Sequence, residues 1–430
     1  MKKLNLIELN EINFDLVQKY IDQDPKAFSG FNRLFKLMTF QTFGESEYAR
    51  IEPWVHWVSV HTGKSFEEHQ VFRLGDIVEY DGEQIFEKLE NLGLSVGCVS
   101  SMNAENRLKS PAFFIPDPWT NTSSDGSAMS RWIHQALRQA VNDNAEEKIQ
   151  LVTLIYLLIA FLRFSKLRNW PTYINLFLNR KKRWNKALFL DLFLSDVFIK
   201  LTRKHNSDFS TLFLNGFAHV QHHYFLASKH YGGSLENPSE YVGKEDDPIF
   251  DAIRVYDRII GQILADLDGH KIIATALSQV AVDEQKIYYR LRSHDEFLKN
   301  IGLSNFEVEP RMTRDFKLTF SDQESESHGV TLLRSIEHAG TRLFKEVDVR
   351  DGSVFVTITY NKPLNEKDIL KVNNQLISLQ AAFVFVAIKN GHHDTNGYGF
   401  LDFEPKVLQC GDARQHVKYI GKEIIDYFVK

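Results

Sequence analysis

Thr211 to Phe225 reads Thr-Leu-Phe-Leu-Asn-Gly-Phe-Ala-His-Val-Gln-His-His-Tyr-Phe, an apolar run that breaks at Asn215-Gly216 and opens into three histidines within five positions. A short apolar run passing into a helical period is a strand feeding a helix, with polar groups at the join. With the helix beginning near Gly216, Phe217, Val220 and Tyr224 share one side, while Asn215, His219 and His222 share another. Imidazoles three or four positions apart place two nitrogens around a metal or an anion. The competing reading is a set of histidines hydrogen-bonded in an ordinary interior. On either reading, strand, polar turn and helix make the repeating unit of an α/β fold.

The same alternation recurs along the chain. Leu4 to Leu9 predicts a buried first strand, followed by Asn10-Glu11 and a helix from Phe14 to Ile21. Gln84 to Leu92 predicts a helix and Leu94 to Ser100 a strand; Asp247 to Leu267 and Lys271 to Ala276 repeat the pair. Pro111 to Trp119 carries three prolines and reads as an ordered loop. Open α/β sheets bind ligands at the carboxyl ends of their strands. Asn10 and Glu11 are therefore site candidates, against the alternative that they make turn or cap hydrogen bonds.

Composition narrows the class. In 430 residues the formal charge is −5, which argues against a whole-surface nucleic-acid binder. Two cysteines, Cys98 and Cys410, fit a reduced compartment and exclude a disulfide framework. The first ten residues are too polar for a signal-peptide core, so the expected location is the cytoplasm.

Glu52-Pro-Trp-Val-His56-Trp-Val-Ser-Val-His-Thr62-Gly63 carries a Trp-x-Ser-x-x-Thr-Gly segment with histidines beyond it, and Gly391-His-His393-Asp394-Thr-Asn-Gly397 follows a late apolar run. In this order, with the strand-end residues above, the chain resembles the alkaline phosphatase superfamily, in its type I phosphodiesterase and sulfatase-like branch. The resemblance covers about 4–76, 210–302 and 382–402. It implies a mostly parallel sheet sandwiched by helices, and a site that acts on phosphate or sulfate esters with two metal ions and a hydroxyl nucleophile at a helix N-terminus. Here the nucleophile's place falls near Pro53, leaving Glu11, Glu52 or His56 as the acid or base. Asn10 stands in the place of the first metal aspartate, Asn215 or Ala218 in that of the second, and Ser278 and Gln279 in that of an aspartate–histidine pair. With those carboxylates absent, the resemblance implies at most one divalent ion, zinc or manganese, held by His219, His222 and His393, with Asn10, Asn215, Ser278, Gln279 and Asp394 as ligand-binding groups.

Two stretches interrupt this core, giving core segments 1–148, 206–302 and 381–430. Residues 149–205 form apolar helices punctuated by Arg163, Lys166, Arg168 and Arg180 to Arg183, with Trp170 and Trp184. That is the composition of a helical cap, or of an element lying at a membrane surface through 149–201. Residues 303–380 form an α+β insertion, with an Asp351-Gly352 hairpin turn and a helix over Asn365 to Leu379. The functional expectation is a hydrolase or transferase of a phosphate- or sulfate-type ester in cell-surface glycan or lipid-linked metabolism. Its rival is a catalytically inactive member of the fold that binds a glycan, nucleotide or partner protein.

Overall fold

In the computed structural model, which describes residues 2–47, 50–141, 151–311, 314–350, 352–373 and 375–429, the chain divides into two units. The first comprises Met1–Val141, Ile149–Ala281 and Gly391–Lys430, and the second holds Val282–Asn390. Residues 149 and 150 of the expected helical insertion, and Asp351 of the expected turn, lie outside the described residues.

The first unit begins with β1 (Leu4–Leu9), buried at all six positions, α1 (Phe14–Gln23), α2 (Ser29–Leu34) and β2 (Met38–Phe43). Then come α3 (Pro53–Thr62), α4 (Phe66–His69), α5 (Ile85–Asn91), β3 (Val96–Val99) and β4 (Phe113–Ile115). Four helices follow: α6 (Ala128–Val141), α7 (Leu151–Phe164), α8 (Trp170–Leu178) and α9 (Asn185–His205). β5 (Phe209–Leu214) leads into α10 (Gly216–Tyr224), then α11 (Pro248–Asp266) and β6 (His270–Ala274). The chain passes to the second unit within β7 (Ser278–Leu291).

The second unit has α12 (His294–Ile301), β8 (Phe306–Pro310), β9 (Asp315–Phe320), α13 (Gln323–Ser335), β10 (Glu337–His338) and β11 (Thr341–Arg342). It continues with β12 (Glu346–Arg350), β13 (Ser353–Thr357), β14 (Ile369–Val372), β15 (Gln375–Ser378) and α14 (Leu379–Ala382). β8, β9, β13 and β12 make an antiparallel sheet over its own core around Phe316, Leu333 and Val354. The helix expected over Asn365 to Leu379 is instead the hairpin β14–β15. Ile369, Lys371 and Gln375 alternate with Leu370 and Ile377 in burial, and Asn373 takes a left-handed φ of 47° at the turn.

The chain returns within β16 (Phe383–Asp394) to β17 (Asn396–Leu401), β18 (Arg414–His416) and α15 (Lys418–Phe428). The main sheet has the order β18-β2-β17-β6-β1-β5-β3-β4, and only β17 runs against the other seven strands. This is an α/β fold with a mostly parallel sheet between helices. Leu4 and Leu6 point into one layer with α3, α5 and α15; Ile7 and Leu9 point into the other with α1, α2, α9, α10 and α11.

Two expectations change here. Phe113–Ile115, between the prolines read as loop-forming, pairs as the edge strand β4, where missing N–H groups are tolerated. The apolar run 382–388 is a strand, but as part of β16 it pairs with β7 outside the main sheet, which the chain re-enters with the glycine-bearing β17. A Cβ at Gly399 would fall 1.9 Å from the Phe40 ring and one at Gly397 2.4 Å from Thr42 Oγ1, so β17 lies against β2 only without side chains there.

Candidate functional site

The sheet's direction gathers the polar residues. Asn10 and Glu11 follow β1, Asn215 follows β5, Gln279 lies beyond β6, and the reversed β17 is entered from His393 at the same edge. Glu11 sits at φ 59°, a left-handed conformation that is costly for a side-chain-bearing residue. Gln221 of α10 holds it there, donating Nε2–H to the Glu11 carbonyl at 2.6 Å. The Gln221 Oε1 accepts from Asn13 N at 2.9 Å, and Asn13 Oδ1 caps α1.

The Glu11 side chain is 2% exposed. Its Oε2 lies 2.9 Å from His222 Nε2 and 3.2 Å from His393 Nε2, and accepts from Gln279 Nε2. Its Oε1 accepts from Asn10 Nδ2 at 2.6 Å. Both rings are oriented from behind. His222 Nδ1 faces the Gly391 carbonyl at 3.4 Å, and His393 Nδ1 faces the Ile51 carbonyl at 2.8 Å and Glu52 Oε2 at 3.2 Å. Those carbonyl partners place the ring protons on Nδ1, so the two Nε2 atoms, 3.2 Å apart, turn their lone pairs toward each other and toward a carboxylate oxygen.

Such a convergence needs a cation. Without a metal it is a proton: burial opposes a charge on His393, but Glu11 and Glu52 outweigh it and hold its pKa well above the ordinary imidazole value. Burial likewise pushes the Glu11 carboxyl up, while His393 and His222 hold it well below the carboxylate range. A divalent ion fits the same point. Glu11, His222 and His393 offer ligand atoms all within 4.8 Å of one another, and one carboxylate with two backbone-tied imidazoles is a donor set for zinc or manganese.

Amides close the other side. Asn10 Nδ2 also donates to Asn215 Oδ1 at 2.8 Å, and Asn10 Oδ1 accepts from Trp57 Nε1 at 3.0 Å. Gln279 Nε2 is shared with the Ala218 carbonyl at 3.1 Å, leaving Gln279 Oε1 buried without a hydrogen-bond partner.

The structure thus brings together Asn10, Glu11, Glu52, Asn215, His222, Gln279 and His393. His219 is not in the group: it stands on the exposed side of α10, and its place among the converging atoms is taken by Glu11, whose reach depends on the turn after β1. His56 also stands apart as an acid or base. Its ring is fully buried, Nε2 accepts from Glu45 N at 3.2 Å, Nδ1 meets the Ala276 carbonyl at 3.1 Å, and burial lowers its pKa to about 4. Ser278 and Asp394 line an adjoining cleft of about 200 Å³ with Asn13, Asp15, Tyr398 and Arg414. Gln221 and Trp57 escaped the sequence reading. Gln221 had a signal, since it shares a helix turn with His222; Trp57 had one as the first residue of the Trp-x-Ser-x-x-Thr-Gly segment.

No protein-family model matches the chain, and no curated protein is similar to it in sequence. Solved structures do resemble it. Phosphonoacetate hydrolase from Sinorhizobium meliloti 1021, in complex with phosphonoacetate, is 12% identical at a TM-score of 0.45, over 98% of this chain and 95% of that one. Human ectonucleotide pyrophosphatase/phosphodiesterase 5 is 8% identical at a TM-score of 0.44, over 99% and 94%, and the murine protein is 9% identical at 0.43, over 99% and 95%.

Proposed function

We propose that this chain is a hydrolase of phosphate-type esters that uses water directly, with a single divalent cation held by Glu11, His222 and His393. The observation that carries the reading is the convergence of Glu11 Oε2 with two Nε2 atoms whose rings are tied from behind. When bound, zinc or manganese would supply Lewis-acid polarisation of an ester oxygen. The protein's own groups do the rest. Glu52 begins α3 and backs His393, and with a side chain 29% exposed it is the carboxylate of the group open to water, which supports assigning it the base. Pro53 follows it, with no hydroxyl for a covalent intermediate. The Asn10–Asn215–Trp57 network fixes the floor of the site as neutral donors and acceptors. The proposed substrate is a glycan- or lipid-linked phosphoester, a reading supported by the apolar helices α7 and α8 and the basic residues around them, with sulfate esters as the related class.

Elemental analysis of purified protein, with turnover of a generic phosphodiester and a sulfate ester in zinc or manganese, tests the proposal. About one ion per chain with phosphodiester turnover is expected; neither metal nor turnover would refute it. The amides bonded to one another where the family resemblance implies carboxylates favour a second reading, a non-catalytic binder of a glycan, nucleotide or protein. His222→Ala and His393→Ala that fold yet leave cellular function intact would decide for it.

A further inference from the structure

Between 151 and 190 the sequence has eight lysines and arginines and no acidic residue, in a chain whose net charge is −5. α7 is apolar all round. Ala160, Phe161 and Phe164 face the protein, while Ile155, Leu158, Ile159 and Leu162 form an exposed stripe at helical spacing. α8 repeats the pattern, with Tyr173 and Leu176 inward and Ile174, Phe177 and Leu178 outward. With Leu167, these make eight of the sixteen exposed large hydrophobics among the described residues. Between the helices an apolar groove of about 290 Å³ is lined by Phe161, Trp170, Tyr173, Ile174, Phe177 and Phe189.

We propose that α7 and α8 dock this protein on an anionic membrane surface, their outward stripes entering the hydrocarbon boundary and the aromatic groove receiving lipid chain. Charge complementarity selects this occupant. Arg163, Arg180, Lys181 and Arg183 are exposed around the patch, and Arg180 lies over the Phe177 ring at 5.3 Å to its centroid, with its guanidinium at the apolar edge. A second copy brought up by a two-fold axis would set these cations against themselves. Crossing the bilayer is a different matter: among the described residues no helix is long and apolar enough, and the fourteen residues of α7 span about 21 Å against a hydrocarbon core of about 30 Å. The proposal does not depend on the chemistry of the Glu11 site.

The full chain, sedimented with vesicles of phosphatidylcholine containing roughly one third phosphatidylglycerol, should bind at least about tenfold better than to phosphatidylcholine alone. Raising salt from about 0.1 to 0.5 M should remove most of that preference. Arg180→Gln, Lys181→Gln and Arg183→Gln together should weaken binding roughly tenfold or more. Leu158→Ser, Phe177→Ser and Leu178→Ser should abolish it while the circular dichroism and thermal midpoint stay unchanged, because these side chains are exposed. Equal or negligible binding to both vesicles overturns the proposal. So does a solution dimer that Phe177→Ser dissociates, which would assign the face to a second copy.

Discussion

Glu52 Oε2 lies 3.2 Å from Nδ1 of His393, the ring whose Nε2 faces Glu11. A carboxylate behind an imidazole raises its basicity and fixes its orientation, and losing such a partner typically weakens metal binding ten- to a hundredfold. Glu52→Gln keeps the Ile51 carbonyl as an acceptor for Nδ1–H, so the ring should stay in place. We expect weaker zinc binding by about that factor in competition with a chelator, and a larger loss in turnover, because the same change removes the base. Unchanged affinity with lost turnover would leave Glu52 as base alone; no change in either would remove it from the site.

Gln279 donates to the Glu11 oxygen that both histidines face. Gln279→Glu replaces that donor by a second buried carboxylate. Without metal the repulsion and lost hydrogen bond should destabilise the fold by about 2–4 kcal/mol, and saturating zinc should restore most of it. Urea unfolding with chelator and with zinc measures both values. Equal destabilisation in the two conditions would mean that no cation binds at this point.

These two residues show what the sequence made legible. Gln279 was marked by its place after the β6 helix–strand pair, whose burial is written in an apolar run, and His393 by its glycine-flanked position, although it lies within β16, which is only partly buried. Glu11 was legible as a strand-end acid but not as the centre of the group. Its position depends on a left-handed backbone held by Gln221, a contact across 210 residues. His219 failed for the converse reason: helical spacing fixes which residues share a face, not which face the neighbouring strand ends reach. β17 was hidden because glycines needed for close strand approach look in sequence like those of a loop.

Gly30 of α2 allows a helix crossing that no other residue would. A Cβ there would lie 2.0 Å from the Asp257 carbonyl oxygen of α11, which is backbone and cannot swing away. Gly30→Ala should therefore cost about 2–4 kcal/mol, since α2 must lift from α11 and open the core around Phe31. Gly232→Ala, where a Cβ meets nothing within 4 Å, should be close to neutral. A similar urea midpoint for both variants would contradict the account.

Asp191 of α9 takes the place of a cap on α10. Its Oδ2 accepts from Gly216 N at 2.6 Å and from the Tyr256 hydroxyl, while Asn215, at the cap position, makes no side-chain cap bond. Burial pushes the Asp191 carboxyl up to about 6, against about 3.9 in an unfolded chain. Between those values the folded protein keeps a proton that the unfolded chain has released. The stability this group contributes is therefore present below about pH 4 and is lost as pH rises through 6, a change of about 3 kcal/mol. His56, His69 and His134, lowered by burial to about 4, give the opposite slope, but they are common to wild type and variant and cancel in the difference. Asp191→Asn removes the titration while its amide oxygen still accepts from Gly216 N. The stability of the variant minus that of the wild type should rise by about 2 kcal/mol between pH 4.5 and pH 7, read from urea unfolding at both values. A difference that stays flat or falls with pH would mean that Asp191 is ionised throughout and holds α10 as a charged cap.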